Sequence, residues 1–347
     1  MAKSASGGTD PEIQAGQDKE SKKLDRFTLL SEVENERVEW LWRGRIPLGE
    51  LTILDGDPGS SKSSFLLDLA ARVSKGRDMP DGTPGIDGGV ILLQAEDSLT
   101  KTVRQRAENA DADLSRIGAF TEDDIRIPEN IPEIERKVRK LAAKLIIVDP
   151  LFCFIDANAN KDQAIRRALN PLRRLAEQHS LAVVLVRHLT KGGGKDPLYR
   201  GVGSIAVAAT ARSALLMATS PDDEHLRVLA HLKCNLGPMA PSLTFEPVET
   251  SDGVSIEWRG QCDHTAEELL APRRGARRAK DAACELLLEI LARGPIPAIE
   301  IENLARSRNI SRRTLERAKS ELDIDSKREG FGPGSFVRWA LPPNSRQ

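Results

Sequence analysis

The densest chemistry in the sequence lies in Leu51-Thr-Ile-Leu-Asp-Gly-Asp-Pro-Gly-Ser-Ser-Lys-Ser-Ser64, an apolar strand that breaks into a Gly-rich loop and ends in Lys-Ser ahead of a helix. Gly56 and Gly59 let the backbone curl so that successive N–H groups face an anion, and a helix beginning near Lys62 adds the positive end of its dipole. The spacing is that of G-x-x-x-x-G-K-[ST], in which the lysine reaches the β- and γ-phosphates and the hydroxyl after it meets Mg²⁺. Gly56, Asp57, Pro58, Gly59, Ser60, Ser61, Lys62, Ser63 and Ser64 are therefore the expected phosphate-binding stretch, with Ser63 on the metal. One position departs from the pattern. Where a Gly is expected before the lysine stands Ser61, which puts a side chain where the loop passes closest to phosphate. Nucleotide binding tolerates that departure better than fast hydrolysis does. A strand–turn–helix carrying a chance Lys-Ser is the plainer alternative.

Three further residues follow apolar runs. Asp149 closes Leu145-Ile-Ile-Val-Asp149 and suits a Mg²⁺–water contact; Glu96 follows Val90-Ile-Leu-Leu-Gln-Ala95 and can polarise an attacking water; His188 follows Leu181-Ala-Val-Val-Leu-Val186 and can hydrogen-bond a γ-phosphate. Open α/β sheets bind ligands just beyond the carboxyl ends of their strands, where these three would lie. Singly, each reads equally well as a solvated strand cap or a structural histidine. Their order behind the phosphate loop is what makes them a site.

The elements that must position these groups are strands alternating with helices, which predicts an α/β fold with a mostly parallel sheet covered on both faces. Asp97 or Ser98 is placed to cap a polar helix through Val103 and Arg106, while Ile165, Leu169, Leu172 and Leu175 recur at helical spacing. Later strands are expected at Ser213–Met217 and Leu226–Ala230, then a hairpin, Leu243–Val248 with Val254–Trp258, around Ser-Asp-Gly. Trp40 and Trp42 alternate on one strand face, to pack in the core or to flank an adenine. With 347 residues the chain is long enough for this domain and a smaller one.

Composition narrows the partners. Lys and Arg total 51 against 52 Asp and Glu, so affinity for nucleic acid has to come from local patches. Cysteines 153, 234, 262 and 284 have no C-x-x-C spacing, which points to buried thiols in a reducing compartment. Apolar runs are only strand-length and the N-terminus is polar, so a cytoplasmic protein without a membrane span is expected. Residues 1–30, rich in Gly, Ser and charge, read as a disordered arm.

Gly-Glu-Leu-Thr-Ile-Leu-Asp-Gly-Asp-Pro-Gly59, Gln-Ala-Glu-Asp97, Ile-Ile-Val-Asp-Pro150 and Val-Arg-His-Leu-Thr-Lys191 together resemble a RecA-like ATPase of the RepA hexameric helicase type. Many such proteins are encoded by prophages and mobile elements. The resemblance runs from about Arg37 to Glu268. It implies ATP and Mg²⁺ as cofactors, Asp149 as the Walker B carboxylate, Glu96 as catalytic base and His188 as γ-phosphate sensor. It implies a homo-oligomeric ring, by family a hexamer, in which a neighbour supplies a cation to the transferring phosphoryl group; Arg212 before the Ser213 strand and Lys233 after the Leu226 strand match by position, Arg212 being preferred for its forked guanidinium, and a surface salt bridge is the plainer alternative for either. It also places channel-facing loops between His188 and Arg212. Lys191, Lys195 and Arg200 then become contacts to single-stranded DNA, or members of a merely solvated loop.

The basic stretch Ala271-Pro-Arg-Arg-Gly-Ala-Arg-Arg-Ala-Lys280 reads as a linker, giving an ATPase domain at 31–268, a linker at 269–280 and a second domain at 281–342. Apolar stripes at Cys284, Leu287, Leu288 and Leu291, at Ile299, Ile301 and Leu304, and at Leu315, Ala318 and Leu322 mark three helices, followed by a hairpin over Ser326–Trp339. That is a winged helix-turn-helix. Arg312, Arg313 and Arg317 would enter a major groove of duplex DNA and Lys327, Arg328 and Arg338 of the wing would touch the backbone, unless the module docks protein. The expected function is a Mg-ATP-dependent helicase-type motor for a phage or mobile element, with a primase or replication-initiation partner. A regulator switched by ATP, hydrolysing slowly or not at all, is the alternative that Ser61 keeps open; a recombination-type filament former is a third.

Overall fold

The computed structural model describes residues 28–121, 123–155, 162–190, 198, 200–202, 205–250, 253–271, 274–308, 310–329 and 335–342, with only the backbone given for 274–280 and 313. The chain divides into residues 1–39 and 40–347. In the first unit the described part carries a 3-10 turn at Leu30–Glu32 with Leu29, Leu30 and Val33 exposed.

The second unit opens with a ribbon of β1 (Trp40–Trp42) and β2 (Ile46–Pro47). There follow β3 (Leu51–Gly56), α1 (Lys62–Lys75), β4 (Gly89–Gln94), α2 (Arg104–Asn109), β5 (Ile117–Thr121), α3 (Ile131–Leu141), β6 (Ala143–Asp149), α4 (Asp162–His179), β7 (Ala182–His188), α5 (Ile205–Thr210) and β8 (Ser213–Thr219). Then come β9 (Arg227–Cys234), β10 (Ser242–Thr250), β11 (Gly253–Cys262) and the single turn α6 (Ala266–Leu270). One sheet holds them in the order β11-β10-β9-β8-β3-β7-β6-β4-β5. From β8 to β5 neighbouring strands are parallel; from β8 through β9 and β10 to β11 they are antiparallel.

The parallel part has apolar residues facing both ways, as the sequence expectation requires. Ile53, Ile146, Val148, Val183 and Leu185 point to one face, where they meet α3, α4 and α5 through Ile134, Val138, Ile165, Leu169, Leu172 and Val207. Leu54, Leu145, Ile147, Val184 and Val186 point to the other, against Phe65, Leu66, Leu69 and Val73 of α1 and Ala107 of α2. The α1 helix is buried along most of its length and stops at Gly76, whose left-handed φ of 62° lets its N–H reach the carbonyls of Arg72 and Val73. Ser98, not Asp97, caps the turn that leads into α2, accepting from the Lys101 N–H. Trp42 is fully buried with Phe65 and Trp258 at ring separations of 6.3 and 5.9 Å, which makes it a core residue and no platform for a base.

The C-terminal part comprises α7 (Arg274–Leu291), β12 (Ile296–Pro297), α8 (Ala298–Ser307), α9 (Arg312–Glu321), β13 (Asp325–Glu329) and β14 (Phe336–Ala340). Its three strands form a small antiparallel sheet, β12-β14-β13, and its core is its own: Leu286, Leu287, Leu291, Ile301, Ala305, Leu315, Ala318, Ile324 and Trp339. Two expectations need correction. The α7 helix starts at Arg274, inside the stretch read as a linker, because a lone Gly275 in an Arg- and Ala-rich run does not stop a helix. The buried faces are also rotated: Leu288, Ile299 and Leu304 are exposed, and Leu286 and Ala305 take their places. Ile301 and Ala305 stand four residues apart on one helix face, whereas Ile299 and Ile301 do not.

Candidate nucleotide site

At the carboxyl end of β3 the chain turns through Asp57–Ser61 into α1. Gly56 admits no side chain, since a Cβ there would lie 2.6 Å from the Met217 carbonyl oxygen and 2.8 Å from Ser60 Oγ. Ser61 occupies the left-handed region, at φ 66° and ψ 26°, the conformation for which the usual Gly is suited. The serine adopts it without capping α1 through its hydroxyl.

Lys62 is buried, and its Nζ donates to the carbonyl oxygens of Gly56 and Asp57, both at 2.8 Å. Burial lowers its pKa, against the charges of Asp149, Glu96, Asp57 and Asp55. Ser63 Oγ donates to Asp149 Oδ2 at 3.2 Å. Burial pushes the Asp149 carboxyl up to about 6, the negative charge of Glu96 adds to the shift, and the Ser63 hydrogen bond and Lys62 oppose it. Glu96 Oε1 lies 3.0 Å from His188 Nε2. The second ring nitrogen of His188, Nδ1, is buried and has no hydrogen-bond partner among the described residues.

All five groups sit at one end of the parallel sheet, for in its register Gly56 stands beside His188 and Asp149 beside Gln94, two residues before Glu96. Lys62, Ser63, Glu96, Asp149 and His188 are thus brought together. Arg212 and Lys233 are not. The Arg212 N–H donates to the Leu51 carbonyl at the opposite end of β3, five residues from Gly56 and so roughly 17 Å away at about 3.3 Å per residue. The half-exposed Arg212 guanidinium lies 3.8 Å from Glu50. Lys233, paired with Ala214 at the same end, points its Nζ at the carbonyls of Ala208 and Ala211, 2.9 Å from each.

Of the expected nucleic-acid contacts, Lys191 and Lys195 lie outside the described residues. Arg200 Nη1 is occupied by the Leu270 carbonyl at 2.7 Å. On the C-terminal module Arg312 and Arg317 are exposed on α9, with Arg312 3.5 Å from Glu302, and the Arg313 side chain is outside the described residues. Lys327 and Arg328 are exposed on β13, where Arg328 donates to Ser335 Oγ.

The sequence reading missed Asp55 and Arg187, which form a forked pair at 2.8 and 2.7 Å inside the central strands. The available signal was an acid and a base, each within an otherwise apolar strand one residue before a site residue.

A parallel sheet with a phosphate loop at its carboxyl edge and an aspartate on a nearby strand defines a RecA-like P-loop ATPase. Residues 17–194, a little over half of the chain, match the AAA domain family, and the chain belongs to it. It is similar to the DNA repair protein RadA of Campylobacter jejuni, 24% identical over 178 residues, which cover 50% of this chain and 36% of that one. Similarity to DNA repair protein RadA of Streptococcus pneumoniae is 23% over 167 residues, 47% of this chain and 36% of the relative. For DNA repair protein RadA of Helicobacter pylori it is 22% over 240 residues, 65% and 48%. The matched region therefore spans between about a third and a half of each of these relatives. No helix among the described residues is long and apolar enough to cross a membrane.

Proposed function

We propose that this chain is a Mg-ATP-dependent motor that acts on DNA as a ring-forming, helicase-type assembly, serving replication of a phage or mobile element in the cytoplasm. The observation that carries the ring is the separation of Arg212 and Lys233 from the phosphate loop by the length of β3. Neither cation reaches its own chain's site. A neighbouring copy that turns the amino end of its β8 toward the loop brings one within range, and a closed ring, by family resemblance a hexamer, repeats that contact at every interface.

The residues fit a magnesium nucleotide. Gly56 keeps the loop open to close approach, the buried Ser60 hydroxyl has no partner among the described residues, and Ser63 and Asp149 already share a hydrogen bond where a cation would be held. Bound Mg²⁺-ATP supplies the electrophilic phosphorus and offsets its charge. Lys62 exchanges the Gly56 and Asp57 carbonyls for phosphate oxygens. Glu96 leaves His188, orients a water and takes its proton; His188 Nε2 turns to the γ-phosphate. Arg212 of a neighbouring copy acts on charge that develops in the transition state, with Lys233 as second choice because two carbonyls hold it.

Within this proposal residues 31–268 are the ATPase domain, and single-stranded DNA lies against Lys191, Lys195 and Arg200 in the channel. The unit that begins with α7 at Arg274 and runs to 342, three helices and a three-stranded sheet with a separate core, is a winged helix-turn-helix that binds duplex through Arg312, Arg313, Arg317, Lys327 and Arg328. The names of the relatives, DNA repair protein RadA, support a DNA substrate. A primase or initiation partner completes the role. A second reading, an ATP-switched DNA-binding regulator, is favoured by the strained Ser61 and by Lys62 lying on loop carbonyls.

ATP turnover measured with and without single-stranded DNA decides between the two. The motor requires turnover that DNA accelerates, with closed rings in electron micrographs. Tight ATP binding with no turnover in either condition selects the regulator, and filaments along DNA select a recombination-type protein.

A further inference from the structure

Asp55 and Arg187 carry opposite charges in the middle of the sheet, Asp55 with no exposed surface and Arg187 with 2%. Arg187 Nε donates to Asp55 Oδ1 at 2.8 Å and Nη2 to Oδ2 at 2.7 Å. A buried pair of this kind adds little net stability over apolar residues of similar volume, but two parallel hydrogen bonds fix the relative position of the groups that carry them. Those groups occupy neighbouring strands in register, one residue before Gly56 of the phosphate loop and one before His188.

On its other side the guanidinium abuts Gly201. A Cβ at that position would run into Cζ, Nη2 and Nε of Arg187. Gly201 bridges Leu189 antiparallel, the Thr190 N–H donates to the Arg200 carbonyl at 2.7 Å, and the Val202 N–H donates to the His188 carbonyl at 2.8 Å. The Arg187 head is therefore wedged between the strand that feeds the phosphate loop and the returning segment Arg200–Val202.

We propose that the Asp55–Arg187 pair is a positioning device that couples the phosphate loop to the segment Arg200–Val202, through the fork on one side and the packing of Gly201 on the other. Lys62 bonds the Gly56 carbonyl, so its transfer to phosphate alters the backbone next to Asp55. The fork cannot slide without breaking both bonds, and the shift passes to Arg187 and Gly201. The coupling deepens the proposed ATPase reading and rests on it, since Arg200 is there a DNA contact.

The test uses the full chain with Gly201→Ala, whose Cβ pushes the guanidinium from its present place and leaves both charges, and Arg187→Lys, which keeps the charge and loses the fork. Amide exchange at Thr190 and Val202 is read with and without MgADP, beside MgADP affinity and ATP turnover. In the wild type MgADP changes exchange at these amides by about fivefold or more, and in both variants by less than about twofold, with MgADP affinity within about threefold of wild type. Turnover then falls about tenfold at nearly constant KM and loses its acceleration by single-stranded DNA. A wild type whose amides ignore bound MgADP overturns the coupling. So do variants that respond as the wild type does, or whose affinity falls in step with their response, the mark of a purely structural pair. A wild type that shows the exchange response without turning ATP over keeps the coupling and removes the motor.

Discussion

The carboxylate of Glu96 and the imidazole of His188 occupy each other: Oε1 meets Nε2 at 3.0 Å, across the strand β6 that separates β4 from β7. Those two atoms are then engaged with each other. In the proposed ATPase an imidazole turned toward a γ-phosphate would release the carboxylate, which would tie arrival of phosphate to readiness of the base. Lys62 is restrained in the same way by the carbonyls of Gly56 and Asp57.

Glu96→Gln should therefore bind ATP as well as the wild type or better and lose turnover by about 10²–10⁴-fold, the range of a general base. The amide still accepts from His188 but does not take a proton from water. Nucleotide titration beside phosphate release separates the two effects. Wild-type turnover in this variant removes Glu96 from the chemistry.

Asp149 makes the site sensitive to pH in a defined direction. Its carboxyl rises from 3.8 to about 6 because it is buried, with Glu96 and Asp97 adding negative charge and the Ser63 hydroxyl and Lys62 opposing. The folded state holds this proton more tightly than the unfolded chain, so Asp149 favours folding below pH ~4, and that contribution is lost as pH rises toward ~6. A shift of this size corresponds to roughly 3 kcal/mol. Without nucleotide, Asp149→Asn should be more stable than the wild type above pH ~6, the difference closing below pH ~4, in denaturant melts across that range. The same variant should lose most of the stabilisation that Mg²⁺ with ADP gives the wild type.

Ser61→Gly tests the strained loop. Relief of a left-handed non-glycine is worth about 1–2 kcal/mol, partly offset by about 0.5–1 kcal/mol of glycine backbone entropy, so the midpoint should rise slightly. For a motor, turnover should stay within about twofold of wild type, because the loop already has the required conformation. A rise of about tenfold or more would show that the serine holds hydrolysis back, as the regulator requires.

How much of this was legible in the sequence depended on whether one strand or several carried the signal. The phosphate loop is contiguous, so Gly56 through Ser64 could be read directly, and the alternation of apolar strands with helices gave the parallel sheet. The placing of Asp149, Glu96 and His188 at one sheet edge followed from their positions after strands. That Arg212 stands at the opposite end follows from its place before β8 once β8 is known to run parallel to β3, a direction that no local pattern encodes. The Asp55–Arg187 pair joins residues 132 apart in sequence and left only two charges in apolar runs as a trace. In the C-terminal unit short amphipathic helices allowed two apolar faces, and packing against Trp339 and Ile324 chose the one with Leu286 and Ala305.

Arg212 supplies the most exacting test, because at its distance from its own phosphate loop the proposed ring gives it a role only on a neighbour. Arg212→Ala should bind ATP nearly normally and lose turnover by about 10²-fold or more, as removal of a group that acts only on transition-state charge does. The 3.8 Å contact with Glu50 is long and half-exposed, so its loss should leave the melting midpoint almost unchanged. Mixing provides the decision. Arg212→Ala subunits combined with Glu96→Gln subunits form some interfaces in which an intact Arg212 faces an intact Glu96, and activity should partly return in proportion to those interfaces. Assemblies shown to be mixed that recover nothing would place Arg212 outside the chemistry. Lys233→Ala, put through the same mixing, then asks whether the lysine held by Ala208 and Ala211 is released on assembly to take that part.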